Sequence, residues 1–109
     1  MNIKEISDTF SVSPQIQPED VAELKEKGFT TIICARPDGE DPGQPTFAEI
    51  KEAATSAGLT AIHIPIVPGQ ATDADVKLME DVLTDADGPV FGYCKGGPRA
   101  EALYKATGR

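Results

Sequence analysis

Short apolar runs alternate with amphipathic stretches along the chain, a pattern typical of α/β proteins. Residues 10–13, 30–34, 61–66 and 90–93 are rich in β-branched or aromatic side chains and are predicted to be strands. The first run alternates with period two and is stopped by Pro14, so we expect a short strand at an edge of the sheet. The second is apolar towards its end, as expected for a strand covered on both faces of a parallel sheet.

Helical patterns fill the segments between these runs. Each begins with a capping or helix-starting residue and shows apolar positions at helical spacing before a glycine or a Gly-Pro pair ends it. The predicted helices begin near residues 18, 46, 72 and 99, and the first three end before residues 28, 58 and 88.

The alternation predicts one α/β domain over residues 1–109, with about four strands in a mostly parallel sheet flanked by helices. In such sheets ligands bind beyond the carboxyl ends of the strands. Cys34, residues 67–70 and Cys94 all follow predicted strands at that end. We therefore expect the functional site there.

Charge and composition narrow the class of partner. The formal net charge of −8 argues against a nucleic-acid or anionic-membrane partner, because such surfaces repel an acidic protein. No apolar run approaches the roughly 18 residues that span a bilayer, and the first residues lack the apolar stretch of a signal peptide. We expect a cytoplasmic protein. Its two cysteines do not form a secreted disulfide scaffold, so each is either buried filler or a reactive thiol.

Cys94 follows the last predicted strand and opens a glycine-rich loop into a helix. Backbone N–H groups, the positive end of that helix and Arg99 should together stabilise a thiolate and bind a tetrahedral oxyanion. Cys94 and Arg99 are the predicted catalytic residues. The residues predicted to bind substrate are Lys95, Gly96, Gly97, Pro98 and Arg36. The alternative is a buried cysteine in a turn that merely needs glycines.

Segments along the whole chain resemble the DUF442 family, the phosphatase-like domain of beta-lactamase hydrolase-like proteins, which is also labelled a sulfurtransferase family. This resemblance implies a fold like that of dual-specificity (cysteine) phosphatases, with Cys94 as nucleophile and Arg99 as oxyanion ligand. The matching segments are residues 10–16, 28–29 with 32–33, 36–40, 44–45, 63–65 with 69–70, and 89–90 leading to 93–95.

The loop departs from the phosphatase pattern in three ways. Four residues separate Cys94 from Arg99, whereas phosphatases of this fold have five, and the shorter ring is similar to that of single-cysteine rhodanese domains. Ala100 stands where related loops carry Ser or Thr, and Pro98 removes one N–H donor. The stretch after the third strand lacks the usual Asp general acid.

Several carboxylates near that stretch have ordinary explanations. Asp73 and Asp75 fall at a predicted helix start, where they act as capping residues. Asp38 or Glu40 could replace the missing acid. Because both lie in a segment rich in turn residues, they are more readily explained as turn and surface carboxylates.

The remaining candidates are mostly structural. Cys34 is predicted to be a buried small hydrophobe, although a disulfide or sulfur relay with Cys94 is conceivable. Arg36 either adds positive potential to the site or pairs with Asp38 or Glu40 and shapes the loop. His63 lies within the predicted third strand and is expected to be a hydrogen-bonded structural histidine. The spacing of Cys and His predicts no metal site, and no cofactor is implied.

The leading hypothesis is a sulfurtransferase in which Cys94 takes sulfur from an anion such as thiosulfate and carries it as a persulfide. The rival is a phosphatase that acts on a phosphate ester through a cysteinyl-phosphate at Cys94. A third is a non-catalytic module that binds an anion or a protein through the same loop. Besides a small anionic substrate, the partner considered is a redox enzyme, fused or separate.

Overall fold

One mixed five-stranded sheet organises the protein in a computed structural model that describes residues 1–109. The strands run in the order β1-β2-β5-β3-β4, with β1 antiparallel to β2 and the other neighbours parallel. They span Lys4–Ser7 (β1), Phe10–Ser13 (β2), Thr31–Cys34 (β3), Thr60–His63 (β4) and Val90–Tyr93 (β5).

The prediction of an α/β fold with a mostly parallel sheet is confirmed, and the structure adds a strand and moves one from the edge to the interior. The sheet has five strands rather than four, because β1 pairs with β2 through an antiparallel ladder that contains an irregularity between Glu5 and Ser7. Consequently β2 is an interior strand and not an edge, since it pairs with β1 on one side and β5 on the other. All four β2 residues are buried, which fits that interior position.

Strand β4 is shorter than predicted and forms one edge of the sheet. The regular strand ends at His63, after which Ile64 N makes one more hydrogen bond, to the carbonyl oxygen of Cys34 at 2.9 Å, so Pro65 lies outside the strand. His63 is therefore at the carboxyl end of β4, opposite Cys34 in the register, and not in mid-strand.

Helices lie where the caps predicted them. A 3₁₀ turn, Pro18–Asp20, leads into α1 (Val21–Glu26), and the longer helices are α2 (Phe47–Ala57), α3 (Asp73–Asp85) and α4 (Pro98–Ala106). Thr46 and Thr72 each form a capping box with the residue three positions later, and Gly58 ends α2 with φ 83°. None of these helices has the length and hydropathy needed to cross a bilayer.

Two hydrophobic clusters cover the two faces of the sheet. Alternate residues of a strand point to opposite faces, so Ile33 joins the cluster under α3 and α4 while Ile32 joins the one under α1 and α2. Cys94 belongs to the first cluster and Cys34 to the second. Both thiols are free. Because the sheet separates them, a direct disulfide or sulfur relay between them would have to cross it.

Candidate active site

Cys94 directly follows β5, and α4 begins four residues later at Pro98. The N–H of Gly97 donates a hydrogen bond to Cys94 Sγ over 3.0 Å. Gly97 adopts φ 107°, a left-handed conformation that costs an L-residue roughly 1–2 kcal/mol. Glycine at this position therefore lets the loop fold back on the sulfur. Cys94 itself is only 1% exposed.

Neighbouring strands fix the position of this loop. The carbonyl oxygen of Lys95 accepts a hydrogen bond from Gln15 N at 3.2 Å, just after β2, and Ala35 N donates to the carbonyl oxygen of Tyr93 at 2.8 Å. Lys95 is exposed and its Nζ lies 3.4 Å from Asp41 Oδ1. The loop is thus held on both sides at the carboxyl end of the sheet, as the topology of parallel strands requires.

Only some of the N–H donors of the Arg99 guanidinium have hydrogen-bond partners in the protein. Nη1 donates to Glu40 Oε2 at 2.9 Å and to the carbonyl oxygen of Ile66 at 2.8 Å, and Nη2 donates to Glu40 Oε1 at 2.9 Å. These bonds use three of the five N–H groups of a guanidinium. The Nε hydrogen and the second Nη2 hydrogen have no protein partner. They lie along one edge of the group, the arrangement that grips two oxygens of an oxyanion.

Arg99 also interacts electrostatically with the sulfur of Cys94. The hydrogen bond to Glu40 is the main cause that raises the pKa of Arg99, and the negative charge of a Cys94 thiolate adds to it. The two groups are therefore within electrostatic reach of each other.

Arg36 lies beneath this site and is 1% exposed. Its Nε donates to Glu40 at 2.8 Å, its Nη1 to Gln15 at 3.1 Å and its Nη2 to Asp41 at 3.0 Å. Each nitrogen of the guanidinium is therefore engaged by the protein. Of the two roles considered for Arg36, the contacts favour pairing that shapes the loop over direct contact with a substrate.

Glu40, for which the sequence favoured a surface or turn carboxylate over a general acid, lies instead at the centre of the ion pairs beside the Cys94 loop. It accepts hydrogen bonds from both Arg99 and Arg36, and its side chain is 22% exposed. The bond from Arg99 is the main cause that lowers the pKa of Glu40 from 4.5 to about 2. It is ionised at neutral pH and is not a proton donor there. The four-residue spacing of Arg36 and Glu40 was the available signal for that pair, whereas the pairing with Arg99 had none in the sequence.

The other predicted residues have structural roles. Asp75 closes the capping box with Thr72, and Asp38 Oδ1 accepts a hydrogen bond from Phe47 N at 2.8 Å at the start of α2. His63 Nε2 lies 2.8 Å from the carbonyl oxygen of Arg36, as expected of a structural histidine. Neither Asp38 nor Asp75 therefore makes a hydrogen bond to Cys94.

The site is locally cationic within an acidic protein. Arg36, Lys95 and Arg99 contribute three positive charges, and Glu40 and Asp41 contribute two negative ones, which leaves a balance of +1 before the thiol ionises. The cavities of about 500, 350 and 270 Å³ lie elsewhere and include no residue of loop 94–99. The sulfur, on a residue that is 1% exposed, therefore does not line any of these three cavities.

The family model for the phosphatase-like domain of beta-lactamase hydrolase-like proteins matches residues 2–108. The chain belongs to this family. A beta-lactamase hydrolase-like protein of Agrobacterium fabrum is 40% identical over 104 residues, which cover 95% of the chain and 24% of that relative. The phosphatase-like domain described here thus spans about a quarter of the length of the curated relatives it matches.

Solved structures agree with this phosphatase-like fold. A Neisseria meningitidis protein provisionally named a phosphatase superposes with a TM-score of 0.83 at 34% identity, covering 92% of this chain and 71% of that one. P. aeruginosa TpbA, crystallised as a C132S variant in complex with pTyr, gives a TM-score of 0.61 at 22% identity over 86% of this chain and 53% of that one. The second likeness bears on the fold alone.

Proposed function

We propose that this domain is a cysteine-dependent phosphatase that hydrolyses phosphate monoesters. The observation that carries the proposal is the pairing of Cys94 with Arg99: an N–H group holds the sulfur, and the guanidinium nearby keeps one donating edge unoccupied. The phosphatase-like family and the fold shared with phosphatases support this function above sulfur transfer. TpbA, which shares the fold, binds phosphotyrosine.

In the proposed first step, the Cys94 thiolate attacks phosphorus while Arg99 holds two phosphoryl oxygens along its Nε–Nη2 edge. A sulfur–phosphorus bond forms, and the bond from phosphorus to the ester oxygen breaks. In the second step water attacks the cysteinyl-phosphate, which releases inorganic phosphate and a proton and restores the thiolate.

The nature of the leaving group follows from Glu40. Because its pKa of about 2 leaves it ionised, Glu40 cannot protonate the departing oxygen at neutral pH. An aryl ester releases a phenolate, which departs without prior protonation more readily than an alkoxide does. Water then supplies the proton. We therefore propose aryl phosphates, such as phosphotyrosine, as the substrate class.

Sulfur transfer is the second candidate, and the length of the loop favours it. Only four residues separate Cys94 from Arg99, so the loop 94–99 suits a single sulfur atom better than the larger phosphoryl group. In that reaction the thiolate attacks the outer sulfur of thiosulfate, the sulfur–sulfur bond breaks, sulfite leaves, and Cys94 carries a persulfide. A thiophilic acceptor such as cyanide removes that sulfur.

One paired assay separates the two reactions. Phosphate release from p-nitrophenyl phosphate and thiocyanate formation from thiosulfate and cyanide are measured for wild type, Cys94→Ser and the matched control Cys34→Ala. We expect phosphate release that Cys94→Ser abolishes and Cys34→Ala retains, because Cys34 lies on the other face of the sheet.

Two outcomes contradict the phosphatase. Thiocyanate formation without phosphate release, lost in Cys94→Ser, would establish sulfur transfer instead. Turnover of neither substrate, with inorganic phosphate still bound by the wild type and not by Arg99→Met, would indicate a non-catalytic anion-binding module.

A further inference from the structure

A cavity of about 500 Å³ opens at the amino ends of β3 and β4, at the opposite end of the strands from Cys94. Helix α3 forms one wall, and the residues after it form part of the rim. The residues that matter for the argument are Thr31, Ile62, Asp81, Val82, Asp85 and Asp87. Strand β4 is an edge strand, so it has a strand neighbour on one side only.

Thr31 presents an unused hydroxyl to this cavity. The residue is 6% exposed, and its Oγ1 makes no hydrogen bond within the protein. No buried side-chain oxygen or nitrogen lacks a partner, so this hydroxyl is accessible to solvent, and Thr31 lines the cavity. A hydroxyl that is open to solvent and has no partner in the protein is free to donate to or accept from a ligand.

The walls combine negative charge with an apolar surface. Asp85 and Asp87 form no ion pair, and Asp81 pairs only with exposed Lys77 at 3.2 Å. Ile62 and Val82 are half-buried in the same cavity. Asp81 and Asp85 are four residues apart on α3 and so lie on the same side of that helix.

We propose that this cavity binds a primary ammonium or guanidinium group carried on an aliphatic stem. The carboxylates of Asp81 and Asp85 would neutralise the cation, Thr31 Oγ1 would accept a hydrogen bond from it, and the stem would lie against Ile62 and Val82. The net charge of −8 raises the local concentration of cations around the protein, which favours the same ligand class. The group could be a free aliphatic amine or a lysine side chain of another protein.

The test is an ¹⁵N–¹H NMR titration of the whole chain with three probes: 1,5-diaminopentane, N-acetyl-lysine methylamide and the uncharged 1-pentanol. We expect saturable shifts centred on Thr31, Ile62 and Asp85 with the two amines and none with pentanol. Tighter binding of the diamine would identify a free amine as the ligand, and tighter binding of the lysine derivative would identify a protein side chain.

Variants make the assignment specific. Removing a hydrogen bond or ion-pair partner typically costs about 0.5–1.5 kcal/mol, so Thr31→Val and Asp85→Asn should each weaken binding about two- to tenfold. Glu26→Gln, on α1 across the sheet, removes the same charge and should leave affinity unchanged. Equal weakening by Glu26→Gln, unchanged binding in Asp85→Asn, or equal binding of pentanol would overturn the proposal. Asp85 is exposed, so that variant remains informative should Thr31→Val fold poorly.

Discussion

The double pairing of Glu40 can be tested by Glu40→Gln. In the wild type the two carboxylate oxygens accept hydrogen bonds from Arg99 at 2.9 Å and from Arg36 at 2.8 Å. The amide keeps one oxygen, removes the charge, and turns the second acceptor into a donor that faces a guanidinium. Arg36, which is 1% exposed, then has Asp41 as its only anionic partner.

The size of the effect follows from the pKa of Glu40. Its fall from 4.5 to about 2 corresponds to about 3 kcal/mol of favourable interaction in the folded state, at ~1.36 kcal/mol for each pKa unit. Partial solvent exposure of the side chain, at 22%, reduces this figure. We expect Glu40→Gln to lower the free energy of unfolding at pH 7 by about 2–3 kcal/mol, and the Tm by about 10–20 °C.

Urea unfolding followed by circular dichroism measures this loss. The matched control is Glu52→Gln, an exposed α2 residue without an ion pair, which should change stability by less than about 0.5 kcal/mol. Because the pKa is lower in the folded state than in the unfolded chain, the wild-type advantage is complete above pH about 4.5 and disappears as the pH falls towards 2. A loss at pH 7 no larger than that of the control, or one that persists unchanged at pH 2, would refute the reasoning.

Three glycine substitutions test the local geometry of the loop and of the strand before it. Gly97→Ala should lower the free energy of unfolding in urea by about 1–2 kcal/mol, because φ 107° is strained for alanine. It should also lower phosphate release, because the Gly97 N–H donates to Cys94 Sγ. The control Gly96→Ala should be tolerated, since its added Cβ would meet only Pro98 Cδ at 3.4 Å. Gly92→Ala should lower the Tm through about 1–3 kcal/mol of overpacking, since its Cβ would lie 2.9 Å from Cζ of buried Phe10. Equal stability of the two loop variants, or an unchanged Tm for Gly92→Ala, would contradict these expectations.

Features encoded by local chemistry were predictable from the sequence. The position of Cys94 after a buried strand follows from the apolar run 90–93 and the glycines that come next, and α4 begins within one residue of its predicted start. The capping boxes of Thr46 and Thr72 likewise depend on residues three positions apart. These interactions join neighbours in the chain, so a pattern over a few residues contains them.

Features that depend on distant partners were not predictable. Strand β1 has two exposed and two half-buried residues, and its pairing with β2 is supported from α4, where Tyr104 donates a hydrogen bond to Ser7 Oγ at 2.9 Å. Glu40 is separated from Arg99 by 59 positions, and nothing in loop 36–44 shows that its carboxylate points to the Cys94 loop. Such pairings become visible only when the topology brings β3 beside β5.

The same network links the stability of the fold to the geometry of the anion site. Burying Arg36 is costly unless its charge is compensated, and Glu40 and Asp41 supply that compensation from one loop. Glu40 in turn occupies one edge of Arg99, so the guanidinium can present only its Nε–Nη2 edge to an incoming oxyanion. A change at Arg36, which need not touch the substrate, should therefore weaken anion binding through the orientation of Arg99. The loop after β3 is thus part of the proposed active site although it contributes no nucleophile.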